Sequence, residues 1–135
     1  MKYLVVFTLF AGLSCTKSAL IQANTNLVEQ AMTNGQWKVS SFNDNGTDKT
    51  QDFSTYSFQF RTNYTVDAIK SGSIEQSGSW NANANNRTIT STFSSSVPPI
   101  SLLNGTWTIV NSTWTSVDAS LTINGQLRTL HLDKI

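Results

Sequence analysis

One cysteine and one histidine are all that the 135-residue chain has of the two side chains most often used as metal ligand, nucleophile or base. A disulfide needs two cysteines and a Cys/His zinc site needs three or four ligands, so both are excluded. His131 shares its strand face with Thr129 and Asp133, and no group at a suitable spacing along the chain would orient it as a general base. It reads as an exposed strand histidine. Glu29 and Glu75 are the only glutamates, one on a helix and one on an outward strand position, which does not make a paired-carboxylate site. Asp44, Asp48 and Asp52, with Asn43 and Asn45, have the composition of a calcium loop. No glutamate closes it, however, and hairpin turns use Asx residues for their own backbone. The sequence contains no phosphate-cradling glycine loop, nucleophile elbow or basic stripe. The expectation is a protein without catalytic residues, metal or cofactor, and not an enzyme.

The lone cysteine has a different chemistry. Lys2 is followed by an apolar run from Leu4 to Leu13, broken only by Thr8 and Gly12, and then by Ser14 and Cys15. Such a run is a secretory signal, too short to span a bilayer. Because the only cysteine falls where the run ends, residues 1–14 resemble a bacterial lipoprotein signal. That resemblance implies that Cys15 becomes a lipid-bearing N-terminus, holding the protein to a membrane through acyl chains. Residues 15–23 would be a tether. No acidic run follows Cys15, so the expected location is the bacterial cell envelope, on the periplasmic face of the outer membrane.

Nine Lys plus Arg against eight Asp plus Glu give a net charge of +1, and removing Lys2 with the signal leaves 8 − 8 = 0. Charged residues are only 13% of the chain, about half the usual share. A nucleic-acid partner is therefore not expected. The polar surface is instead one of Ser, Thr and Asn.

The elements that must position any site follow from periodicity. Leu27, Val28, Ala31 and Met32 recur at helical spacing between an N-cap at Asn24 or Thr25 and a C-terminal stop at Gly35. From Gly35 onward the apolar period becomes two, with turn residues every eight to twelve positions. Trp37 and Val39 begin the pattern, and Tyr56, Phe58 and Phe60 are its clearest strand. A turn at Thr62-Asn63 leads to Val66 and Ala68. Ile74, Gly78 and Trp80 come next, followed by a loop over Asn81 to Asn86 and a strand with Ile89 and Phe93. Pro98 and Pro99 interrupt the series, since proline cannot donate to a ladder. Ile100 to Leu103 fits one helical turn. Strands over Gly105 to Val110 and Thr115 to Leu121 precede a hairpin at Asn124-Gly125, and Leu127 to Leu132 ends the series. About eight antiparallel strands remove their edges by closing into a barrel, here an all-β, up-and-down barrel over residues 24–135 with a short N-terminal helix. Asn34-Gly35-Gln36-Trp37 and Asn104-Gly105-Thr106-Trp107 echo one another, each placing a glycine for close backbone approach before a tryptophan for the core.

Gly35-Gln36-Trp37 after a short helix, the Tyr56-to-Phe60 strand and the Gly78-Ser79-Trp80 and Gly105-Thr106-Trp107 pairs together resemble the lipocalin-like domains of Bacteroidetes lipoproteins, over residues 34–135. The Thr-Asp-Tyr loop of lipocalins is missing. The resemblance implies a barrel that binds small apolar molecules, with Trp37 at its closed end beneath a late arginine, for which Arg128 is the match.

Two functions follow as expectations. In the first, a membrane-anchored barrel holds a small apolar or amphipathic ligand in a gap within a ring of Tyr56, Phe58, Phe60, Val66, Trp80, Ile89, Trp107 and Ile109. In the second, the large aromatics fill the interior, and loops such as Ser94 to Leu103 and Asn43 to Thr50 present themselves to a protein partner. A cavity of about 300 Å³ or more separates the two. Trp114 is out of phase with Val117, Ala119 and Leu121 and is the expected exposed aromatic, at a barrel mouth or a partner contact.

Overall fold

The computed structural model describes residues 17–135. Helix α1 (Lys17–Thr33) precedes nine strands: β1 (Trp37–Asp44), β2 (Thr47–Asp48), β3 (Tyr56–Phe60), β4 (Thr65–Lys70), β5 (Ser73–Asn83), β6 (Thr88–Phe93), β7 (Gly105–Ser112), β8 (Ser116–Ile123) and β9 (Gln126–Lys134). Each strand from β3 to β9 pairs antiparallel with the next, and β9 returns to pair with β1, closing an eight-stranded barrel. The two-residue β2 is an addition on β1. The expected signal and Cys15 lie outside the described residues.

Closure is uneven. Seven Cα partners join β1 to β9, from Trp37 with Lys134 to Asp44 with Arg128. The other flank of β1 meets β3 at Trp37 and Phe58 alone. Gly78 explains how β5 bends tightly onto β6: a Cβ there would lie 2.3 Å from the Thr92 carbonyl oxygen, so only glycine admits this approach.

The period-two reading places the strands well and misjudges some ends. β5 runs on through Asn81, Ala82 and Asn83, which pair with Thr90, Ile89 and Thr88, so the expected loop shrinks to a turn. The helix is also longer than expected. Thr25 lies inside it and is no N-cap; its Oγ1 accepts a hydrogen bond from the Ala84 N–H at 3.1 Å. That contact pins α1 to the β5–β6 turn.

Inward-facing residues form one core, in which Trp37, Phe42, Phe53, Met32, Ile100 and Val66 are the largest fully buried side chains. The two ends of the barrel are built differently. At one end, short 3-10 helices at Thr50–Phe53 and Ile100–Leu103 tuck Phe53, Ile100 and Leu103 into the opening. Phe53 meets Phe42 with ring centroids 4.9 Å apart, and Trp107 meets Phe42 edge-on at 6.0 Å. This end is sealed, and it is where the Asn43-to-Thr50 and Ser94-to-Leu103 loops lie. At the other end, α1 crosses the opening with Met32 as its plug.

Candidate functional site

All eight residues expected to ring a ligand gap face inward. Tyr56, Phe58, Phe60, Val66, Trp80, Ile89 and Trp107 are buried, and Ile109 is partly buried against them. They pack on one another: Tyr56 stacks on Phe58 at 6.2 Å, Phe58 meets Phe93 at 6.3 Å and Phe60 meets Trp80 at 5.2 Å. The interior gap lined by five of them, Phe58, Phe60, Ile89, Trp107 and Ile109, is about 50 Å³, enough for a water or two and far below the size of a ligand site. Burial also pushes the Tyr56 phenol up to about 12, with the Glu75 carboxylate adding to the effect.

A larger space lies outside the ring, at the α1 end. A groove of about 410 Å³ runs between the apolar side of the helix, the β5–β6 turn and the β7–β8 turn. Leu27, Val28, Ala31 and Met32 supply its helical wall, Ile89, Ile109 and Val117 its floor, and Trp114 its rim. Trp114 is 56% exposed and Leu27 50% exposed, so both apolar surfaces are offered to solvent. Of the eight expected residues only Ile89 and Ile109 reach this groove. Met32, Ile89, Ile109 and Val117 line both the groove and the interior gap, and Met32, only 2% exposed, stands between them.

The wall is held by its last turn. The final carbonyls of a helix lack intrahelical donors. Here Trp37 Nε1–H donates to Met32 O at 2.9 Å and Lys134 Nζ donates to Ala31 O at 2.9 Å. The Lys134 ammonium also lies 4.9 Å from the Trp37 ring centroid, within cation–π range. Arg128 does not take this place, contrary to the lipocalin-like expectation. Trp37 stands at one end of β1 and Arg128 pairs with Asp44 at the other, seven residues and therefore about 23 Å away. The Arg128 Nε donates instead to Asp44 at 3.0 Å.

The polar clusters are built on the outer wall. His131 is flanked on both sides, which its own strand does not reveal: Asp118, its partner across β8 and β9, meets Nδ1 at 2.5 Å, and Asp133 meets Nε2 at 3.1 Å. The reading that nothing orients His131 is therefore corrected. The hydrogen bond to Asp118, with Asp133 behind it, raises the His131 pKa above its ordinary value. Asp133 is lowered, first by the Ser40 hydroxyl that donates to it and then by His131. The order is Ser–Asp–His–Asp, with serine donating to a carboxylate and both ring nitrogens facing carboxylates. A charged imidazolium satisfies this arrangement, and no lone pair is left to take a proton from Ser40.

On the other side of the barrel, Asp67 is buried beneath Arg61, whose Nε and Nη2 donate to it at 2.9 and 2.6 Å, while the Ser77 hydroxyl donates to its second oxygen at 2.6 Å. Ser77 first, and then Arg61, hold its carboxyl below the usual range. The Asx cluster of the β1–β2 region is committed to its own turns: Asn43 accepts from the Gly46 N–H, Asp48 from Thr50, and Asp44 pairs with Arg128. Among the described residues no group of three or more His, Cys, Asp or Glu side chains is placed to hold a metal ion, and no helix is long and apolar enough to cross a membrane.

No protein-family model and no curated protein matches the sequence. In three dimensions the chain is similar to the crystal structure of a DUF4847 family protein from Bacteroides vulgatus ATCC 8482. The identity is 14% and the TM-score 0.57, over 78% of this chain and 96% of that chain. At this identity the likeness is one of fold.

Proposed function

We propose that the chain is a lipid-anchored protein of the bacterial cell envelope, lipocalin-like in architecture and non-enzymatic, that holds a small apolar or amphipathic molecule against the α1 end of its barrel. The observation that carries the reading is the 410 Å³ groove with half-exposed Trp114 and Leu27 at its edges. Its size falls within the range of small-molecule sites, and its lining is mostly apolar with a few polar groups at the rim. Large aromatics left in water next to such a concavity mark a contact surface more often than an accident of packing. The anchor rests on Cys15 at the end of the apolar run Leu4 to Leu13. Periplasmic exposure rests on the lack of an acidic run after Cys15, which is followed by Thr16, Lys17 and Ser18.

Titration with an apolar fluorescent probe tests the ligand reading. Saturable micromolar binding that quenches tryptophan emission, and that is lost in Trp114→Ala, supports it. An unchanged response in Trp114→Ala, with loss in Phe58→Ala, would move the site back to the interior. Cys15→Ala should shift the protein from the membrane to the soluble fraction, and unchanged partition would remove the anchor.

The nearly filled interior favours a second reading, in which the barrel is a partner-binding module. The absence of saturable binding across fatty acids, retinoid-like and haem-like compounds would make it the better account.

A further inference from the structure

Among the described residues, one charged side chain lines the groove. Its lining includes Arg87 and no aspartate or glutamate. The other two arginines of the chain are committed, Arg61 to Asp67 and Arg128 to Asp44. No ion pair of the described residues includes Arg87; the hydrogen bond of its side chain is a long one, from Nη2 to Val110 O at 3.4 Å.

The backbone at Arg87 points the same way. Its φ is +55°, in the left-handed region that glycine and asparagine enter with least strain. Asn85 and Asn86 immediately precede it, so the turn had residues better suited to that conformation at hand. The strained position is nevertheless occupied by an arginine, and its carbonyl is fixed by the Ile109 N–H at 2.8 Å. Strain that persists at a concave site, under a side chain with no ion-pair partner among the described residues and one long hydrogen bond, fits a role for that side chain in contact with something else.

We propose that the groove selects single-chain amphipaths with an anionic head group, the chain lying on Val28, Ile109 and Trp114 and the head paired with the Arg87 guanidinium. This rests on the reading of the groove as the ligand site and adds the sign of the ligand's charge. The guanidinium fork suits carboxylate and phosphate alike, and the lack of acidic neighbours leaves nothing to repel either.

The test compares dodecanoate, dodecyl phosphate and dodecanol, chains of equal length, by calorimetry or tryptophan emission near pH 7.5 and below their critical micelle concentrations. Wild type should bind both anions about tenfold more tightly than the alcohol, the scale of one charge-assisted hydrogen bond. Arg87→Gln should erase that preference while leaving dodecanol affinity unchanged, and Arg87→Lys should restore part of it. The preference should also shrink as salt rises, because Arg87 is exposed. Equal affinity for all three ligands in wild type, or a preference that survives in Arg87→Gln, overturns the head-group assignment and leaves the groove standing. Binding of none of the three, with Arg87→Gln still folded by circular dichroism, overturns the groove reading and this inference with it. Phosphate bound at least tenfold more tightly than carboxylate would point to a phospholipid head, and the reverse order to a free acid.

Discussion

The two ends of the barrel use the same device with opposite results. At each, a helical segment is followed by Asn-Gly, one spacer and a tryptophan at or near the start of a strand. At each, the glycine has positive φ, +86° at Gly35 and +134° at Gly105. At each, the indole N–H reaches back 2.9 Å to a carbonyl of the helical segment, Trp37 to Met32 and Trp107 to Leu103. At the sealed end the segment is four residues long and contributes Ile100 and Leu103 to the core, while Asn104 bonds to both the N–H and the C=O of Phe93, extending the sheet. At the α1 end the segment is seventeen residues long, and among its described side chains Met32 is the one fully buried apolar residue, with Val28 packed partly against the core. Leu27 on the helical wall is left half-exposed, and the groove lies between that wall and the β7–β8 turn. A shared local motif fixes where a helix ends; how much of that helix is buried decides whether the end is closed.

The difference can be broken first at the sealed end. Phe53→Ala should lower unfolding free energy by about 3–5 kcal/mol, read by urea denaturation, and leave probe binding at the groove intact. Loss of binding in a still-folded Phe53→Ala would mean that the two ends are coupled. Met32→Ala should cost about 2–5 kcal/mol and also join the groove to the interior gap, so that longer acyl chains bind more tightly than in wild type. Unaltered chain-length preference would show that Met32 is not the partition between the two spaces.

A smaller effect concerns the outer wall. Because the folded pKa of His131 is raised above 6.5, the imidazolium contributes stability in full below about pH 6.5. That contribution disappears as pH rises through the folded value. Thermal midpoints should therefore fall as pH rises above about 6.5 in wild type, and His131→Gln should flatten that slope; a slope equal in both would locate it elsewhere. The smallest expected change is in the stability of Trp114→Ala, within about 0.5 kcal/mol of wild type, which is what makes it a clean probe of binding. A large loss on denaturation would show that Trp114 supports the fold.

How much of this was legible in the sequence depends on the distance over which each feature is made. Strand positions such as Tyr56 to Phe60, and the turn at Asn124-Gly125, are local and read directly from period and turn chemistry. The barrel follows from strand count and the need to satisfy edges. The pairing of His131 with Asp118 needs the register of two strands, which alternation alone does not supply. The Arg128 assignment failed for the same reason: matched to Trp37 by family likeness, it sits at the far end of β1, and Lys134 takes the place. The groove was least legible, because it depends on the angle at which α1 crosses the opening. Its one signal in the chain was Trp114, an aromatic out of phase with its strand.

The β1–β9 pairing carries a consequence for timing. Ser40 and Asp133, which bond to each other, stand 93 positions apart, and the ammonium that caps α1 belongs to Lys134. Contacts this remote form slowly, since a long loop must close before they contribute. On a chain emerging from the ribosome, β1 has little to pair with until β9 has followed, and the helix that walls the groove lacks its Lys134 contact. The Lys134 contact on the last turn of α1 thus arrives only with the last strand to be made, and a chain truncated before Lys134 loses that contact.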